Sequence, residues 1–168
     1  MNRCIVQNGV NMGENEKIKE KKNPETLLRS GRTIEMSPRG WSMYPLIVPG
    51  RDKAVIAPAE GKKLKKLDIA LFRREGSILV IHRIAAVRIK KDGSRVYFFV
   101  GDNQKELEGP IKEESICGVV TGIVRKGKRM SVDGPLYRAS VSVWMFLRPV
   151  RPQISHFIAG LKKLGRQI

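Results

Sequence analysis

Cysteine and histidine are scarce in this chain, two of each in 168 residues. Cys4 and Cys117 lie far apart, so they form neither a disulfide framework nor, with two histidines, a zinc cluster. Such usage fits a reducing compartment. Cys117, within Ile116-Cys117-Gly118-Val119-Val120, reads as a small hydrophobe on a buried strand. No run of about 18 apolar residues exists, which excludes a transmembrane helix from the expected elements. The opening stretch, Met1 to Gln7, lacks the apolar centre of a signal peptide, and Met12 is a second candidate start. The expected location is therefore the cytoplasm, with peripheral contact at the inner membrane face as an option. No phosphate-binding glycine loop occurs, and neither a cofactor nor a metal is expected.

Acidic residues are also short: 16 against 33 Lys and Arg, a formal charge of +17. After Asp133 there are none, while Arg138, Arg148, Arg151, Lys162, Lys163 and Arg166 remain. This excess favours an anionic partner without choosing among nucleic acid, anionic lipid and acidic peptide. The run Gly61-Lys62-Lys63-Leu64-Lys65-Lys66-Leu67 is most simply a solvated loop. No aromatic residue interleaves with it, which counts against single-stranded nucleic acid.

What is present falls into three parts. Residues 1–23 are polar and lysine-rich, with the composition of a disordered tail. Residues 24–133 carry the folded domain, opening with a short helix at Pro24 to Gly31. Short β-rich runs then alternate with turns at Lys53 to Ile56, Ile69 to Phe72, Ile78 to Ile84, Val96 to Val100 and Val119 to Val124. Asp92-Gly93-Ser94 is the expected tip of a hairpin joining Ala86 to Ile89 with Val96 to Phe99. Close strands without intervening helices predict a mainly β, antiparallel domain with short terminal helices. Residues 134–168 form a basic, apolar extension. Within it Ile154, Phe157, Ile158, Leu161 and Leu164 recur at helical spacing, and His156 falls on that candidate helix. A contact with an anionic membrane surface through this segment is the alternative to packing on the domain.

Three polar residues stand at element boundaries. Ser42 lies in Gly40-Trp41-Ser42-Met43-Tyr44-Pro45. A serine hydroxyl needs a neighbouring base to attack a carbonyl, and backbone N–H groups, here of Ser42 and Met43, to hold the oxyanion. His82 lies in Leu79-Val80-Ile81-His82-Arg83-Ile84, where alternation puts Val80, His82 and Ile84 on one face. A neutral imidazole there can act as a base near pH 7, with activity rising through about 6 to 7. Asp102, in Gly101-Asp102-Asn103, and Glu108, six residues on, are the carboxylates that could orient it. Singly, each has a plainer reading: a loop serine, a satisfied strand histidine, an Asx-turn.

Taken in order, these segments resemble the type I signal peptidases and the related repressor autoproteases. The similar stretches are Gly40 to Ile47, Gly50 to Val55, Leu67 to Phe72, Val80 to Ile84, Gly101 to Asn103 and Ile116 to Val120. Together they span about residues 26 to 130. Most members use a lysine base. Here the matching position is His82, followed by Arg83, as in the endoplasmic-reticulum-type branch. The resemblance implies a mostly β peptidase with a shallow groove, Ser42 as nucleophile and His82 as base. Its third role falls to Asp102 or to Glu108, the latter standing where the branch has an aspartate. Departures are Arg51 between Gly50 and Asp52, Leu67 in place of a glycine before Asp68, and Gly40 where many relatives carry a hydroxyl.

The expected function is a serine endopeptidase that processes a precursor peptide or protein through an acyl-enzyme. The alternatives are a self-cleaving regulator, for which residues 1–30 are too short to add a DNA-binding domain, and a basic nucleic-acid or membrane-surface module on a decayed peptidase fold.

Overall fold

A computed structural model describes residues 6–7, 23–75 and 78–147. The helix α1, Pro24–Arg29, starts where the sequence supplies both a cap and a proline. The Asn23 side chain accepts from the N–H of Glu25 at 3.1 Å, and Pro24 fills the first turn, where a missing N–H costs nothing. Gly31, at φ 80°, ends it. Strands follow: β1 Val6–Gln7, which precedes the helix, then β2 Ile34–Met36, β3 Asp52–Pro58, β4 Ile69–Arg74, β5 Ile78–Ile89, β6 Arg95–Val100, β7 Glu108–Lys112, β8 Ile116–Arg125 and β9 Lys128–Ser131. The last described element is the helix α2, Pro135–Phe146.

Among the described residues all nine strands belong to one sheet and every pairing is antiparallel, so the domain is mainly β, with two short helices described. The order is β1-β2-β3-β8-β4-β5-β6-β7, with β9 on β8. Strand β8 holds the sheet together. One of its edges pairs with β3; the other pairs with β4 near Gly118 and with β9 beyond Gly122. Gly118 is needed there: a Cβ would lie 2.6 Å from Ile56 and 2.9 Å from the Ala57 carbonyl oxygen.

Over residues 69–72 both faces of β4 are buried, and alternation divides these side chains between two clusters. Ile69 and Leu71 join Met36, Met43, Ile47, Ile56, Ile81 and Ile123. Ala70 and Phe72 join Ile84, Tyr97, Phe99 and Val119, and the Phe72 and Phe99 rings stack at 4.2 Å. Each such side chain, removed from water, contributes roughly 1.5–3 kcal/mol. The expected hairpin at Asp92-Gly93-Ser94 is present: Asp92 Oδ1 accepts from the Ser94 N–H at 2.8 Å, with Gly93 at φ 79°.

Some elements differ from the expectation. The two runs Ile78 to Ile84 and Ala86 to Ile89 are one strand, β5, because a register shift between Ile84 and Ala86 absorbs the break. Strand β7 contains Gly109 and Pro110, which a sheet tolerates only at an edge, where β7 lies. Val6–Gln7, expected within a polar tail, pairs with β2. The remainder of 1–22 lies outside the described residues, as do the candidate helix around 154–164 and His156. Cys117 is half-buried on β8 against the first cluster, and burial pushes its thiol pKa up. Among the described residues no helix is long and apolar enough to cross a membrane.

Candidate active site

Ser42 sits in a turn that the core fixes on one side. Its neighbours Met43 and Ile47 are 2% and 0% exposed, and the Ile47 N–H donates to the Met43 carbonyl at 2.9 Å. The Tyr44 N–H donates to the Trp41 carbonyl at 3.1 Å, which makes Ser42 and Met43 the central pair of a tight turn. In such a helical turn the first N–H groups have no backbone acceptor. The N–H groups of Ser42 and Met43 accordingly donate to no acceptor among the described residues. Gly40, at φ 85°, brings the chain into the turn through a backbone shape that side chains disfavour.

A cluster around Asp52 clamps the far end of this loop. Asp52 accepts from Arg125 Nε at 2.8 Å, from Arg51 Nη2 at 2.8 Å and from the Val48 N–H at 2.8 Å. Burial alone would raise its pKa; the hydrogen bonds from Arg125, Arg51 and Val48 outweigh it and hold the carboxyl well below its ordinary range. Arg125 also reaches the Leu46 carbonyl at 3.0 Å, and Arg51 the Pro45 carbonyl at 3.4 Å. Arg51, which stands between Gly50 and Asp52, thus joins the same clamp.

The Gly101-Asp102-Asn103 turn approaches Ser42 from the end of β6. The Asn103 N–H donates to the Ser42 carbonyl at 2.7 Å. A Cβ on Gly101 would lie 2.7 Å from that same oxygen, so only glycine permits the approach. Asp102, 0% exposed, is gripped by Arg83, with Nε at 2.7 Å from Oδ1 and Nη2 at 2.8 Å from Oδ2. Arg83 also donates to the Leu67 carbonyl at 2.8 Å and lies 3.4 Å from the Tyr137 hydroxyl of α2. The Trp144 indole N–H donates to the Asp102 carbonyl at 2.9 Å, so α2 closes this side.

His82 is 3% exposed, with its ring 6.2 Å from that of Phe72. Its Nδ1 lies 3.2 Å from Glu108 Oε2. Of the two carboxylates left open by the sequence, Glu108 faces the imidazole, while both oxygens of Asp102 accept from Arg83. Arg74 holds Glu108 in turn: Nη2 is 2.7 Å from Oε2, and Nε contacts Oε1. Burial lowers the His82 pKa, Glu108 opposes the fall and Arg74 adds to it; the net is below the ordinary imidazole value. Burial likewise tends to raise the Glu108 pKa, but the ion pair with Arg74 and the contact with His82 prevail and keep it ionised.

Ser42, Met43 and His82 line one groove of about 470 Å³, together with Trp41, Arg74, Leu79 and Asn103. The sequence-derived residues therefore form two linked groups. Ser42 and His82 border the groove without a hydrogen bond between them, and Glu108 reaches His82 from outside the groove lining; Asp102 is buried against Arg83. Arg74 escaped the sequence reading. Its signal was strand alternation: on β4 it shares a face with Ala70 and Phe72, and Ala70 is paired with His82.

The arrangement offers a hydroxyl, an imidazole with one nitrogen engaged by a carboxylate, and free backbone donors. Among the described residues no group of His, Cys, Asp or Glu could hold a metal ion. No model of a known protein family matches the chain, and no curated protein matches its sequence.

Proposed function

We propose that this protein is a serine endopeptidase acting on a precursor peptide or protein, and that it is related to the type I signal peptidases through their Ser–His branch. The observation that carries this reading is that His82, with Nδ1 on Glu108, lines the same groove as Ser42 and the unengaged N–H groups of Ser42 and Met43. With Nδ1–H donating to Glu108, Nε2 keeps the lone pair that a general base needs.

In this mechanism the Ser42 hydroxyl attacks the scissile carbonyl carbon and passes its proton to His82 Nε2. The tetrahedral oxyanion accepts from the N–H groups of Ser42 and Met43. Collapse breaks the C–N bond, and the imidazolium protonates the leaving amine. Water, deprotonated by His82, then cleaves the Ser42 ester and restores the enzyme. Glu108 stabilises the imidazolium, and Arg74 keeps Glu108 charged and in place. Composition supports a cytoplasmic enzyme and a substrate from that compartment.

The test is labelling by a serine-reactive fluorophosphonate, alongside cleavage of candidate precursors. Wild type is expected to label at one site, and Ser42→Ala to lose both the label and about 10⁴-fold of the cleavage rate. Equal labelling or cleavage by Ser42→Ala overturns the reading. Fragments appearing in pure wild type alone would assign the site to self-cleavage.

A further inference from the structure

Helix α2 is apolar on two opposite faces, and only one of them is buried. Tyr137, Val141 and Trp144 face the sheet: Val141 is 1% exposed, Tyr137 packs on the first core cluster and Trp144 bonds to Asp102. On the other face Leu136, Val143 and Phe146 are 87%, 59% and 82% exposed, and Ala139 lies exposed between them. At 3.6 residues per turn, positions 136, 139, 143 and 146 form one stripe. That stripe holds no charged residue. A helix apolar all round normally has both faces out of water.

The surroundings of the stripe are basic. Arg138, on the border between the two faces, pairs with Asp68 at 3.2 Å and reaches the Lys66 carbonyl at 3.4 Å. This sets the loop with Lys62, Lys63, Lys65 and Lys66, all exposed, along the flank of α2. The chain beyond Asp133 adds only positive charge. A second copy of a +17 chain would bring like charges together at this face, whereas an anionic lipid surface would complement them.

We propose that the outer face of α2 docks the protein on an anionic lipid surface, with Leu136, Val143 and Phe146 entering the acyl boundary and the Lys62–Lys66 loop meeting the headgroups. Apolar burial and headgroup attraction together set the strength of such a contact. The docking stands apart from the peptidase chemistry and survives its failure.

The experiment is co-sedimentation of the full chain with phosphatidylcholine vesicles, with and without phosphatidylglycerol. Wild type is expected to sediment with the anionic vesicles and not with the neutral ones. The Leu136→Ser, Val143→Ser, Phe146→Ser variant should lose at least about tenfold in partitioning at an unchanged thermal midpoint, because all three side chains are exposed. Changing the four loop lysines to Gln should weaken the preference for anionic vesicles. The proposal is overturned if wild type stays in solution, if the triple variant sediments like wild type, or if the stripe instead supports a concentration-dependent dimer that the triple variant dissolves.

Discussion

The two carboxylates near His82 do different work, and substitutions separate them. Glu108→Gln removes the charge facing Nδ1 and is expected to lower kcat by about 10²- to 10⁴-fold with little change in stability. Asp102→Ala leaves the Arg83 guanidinium buried without its partner and should cost about 3–5 kcal/mol in a urea unfolding experiment. In the proposed peptidase, Arg74 tunes the His82 imidazole through its charge. Since burial and Arg74 both lower the His82 pKa, the acid limb of kcat should fall below the ordinary imidazole value of about 6.5. Arg74→Met removes one of those causes, so its limb should move to higher pH; a limb that stays put or moves down contradicts the assignment. The serine and both carboxylates were legible in the sequence as residues at turns or element ends, and the histidine as a residue within an apolar strand. Which carboxylate meets the imidazole was not, because Glu108 reaches it only through the pairing of β7 with β6 and the position of Arg74.

At the scale of elements, a residue marked in the sequence as out of pattern has a backbone cause. Leu67 stands where a glycine was expected and lies at φ 76°, in the left-handed region. Its N–H donates to the Ile84 carbonyl at 2.9 Å and its carbonyl accepts from Arg83, so the conformation is held by the β5 side of the site. Leu67→Gly is expected to raise stability by about 0.5–1 kcal/mol, read as a higher urea midpoint at unchanged slope. The strands β3, β4, β5, β6 and β8 and the helix α1 followed from apolar runs, caps and turn residues. Strands β7 and β9 did not. One carries Gly109 and Pro110, the other is exposed throughout, and both exist because a neighbouring strand offers its edge. Helix α2 lacks a polar face, so periodicity does not announce it.

Across the whole molecule the site depends on parts far apart in the chain meeting on one sheet. Asp52 is the clearest case, joining β3, the end of the Ser42 loop and β8 through Arg125. Its pKa is depressed in the folded protein, so its contribution to stability is complete above the ordinary carboxylate value of about 4 and is lost as pH falls through and below it. The thermal midpoint should therefore drop between pH 5 and pH 3, and Asp52→Asn should lower the midpoint at pH 7 while flattening that drop. By itself the sequence determined the fold class and named the residues of the candidate site: a scarce histidine in a strand, a serine in a tight turn, alternating short strands without helices between them, and a surplus of positive charge. These are local properties, set by side-chain type, backbone preference and period. Only the tertiary structure decided that Glu108 rather than Asp102 faces His82, that Arg74 and Arg83 each hold one carboxylate, and that α2 leaves an apolar face outward. Those contacts join residues distant in sequence, and sheet pairing and burial, not local pattern, select them.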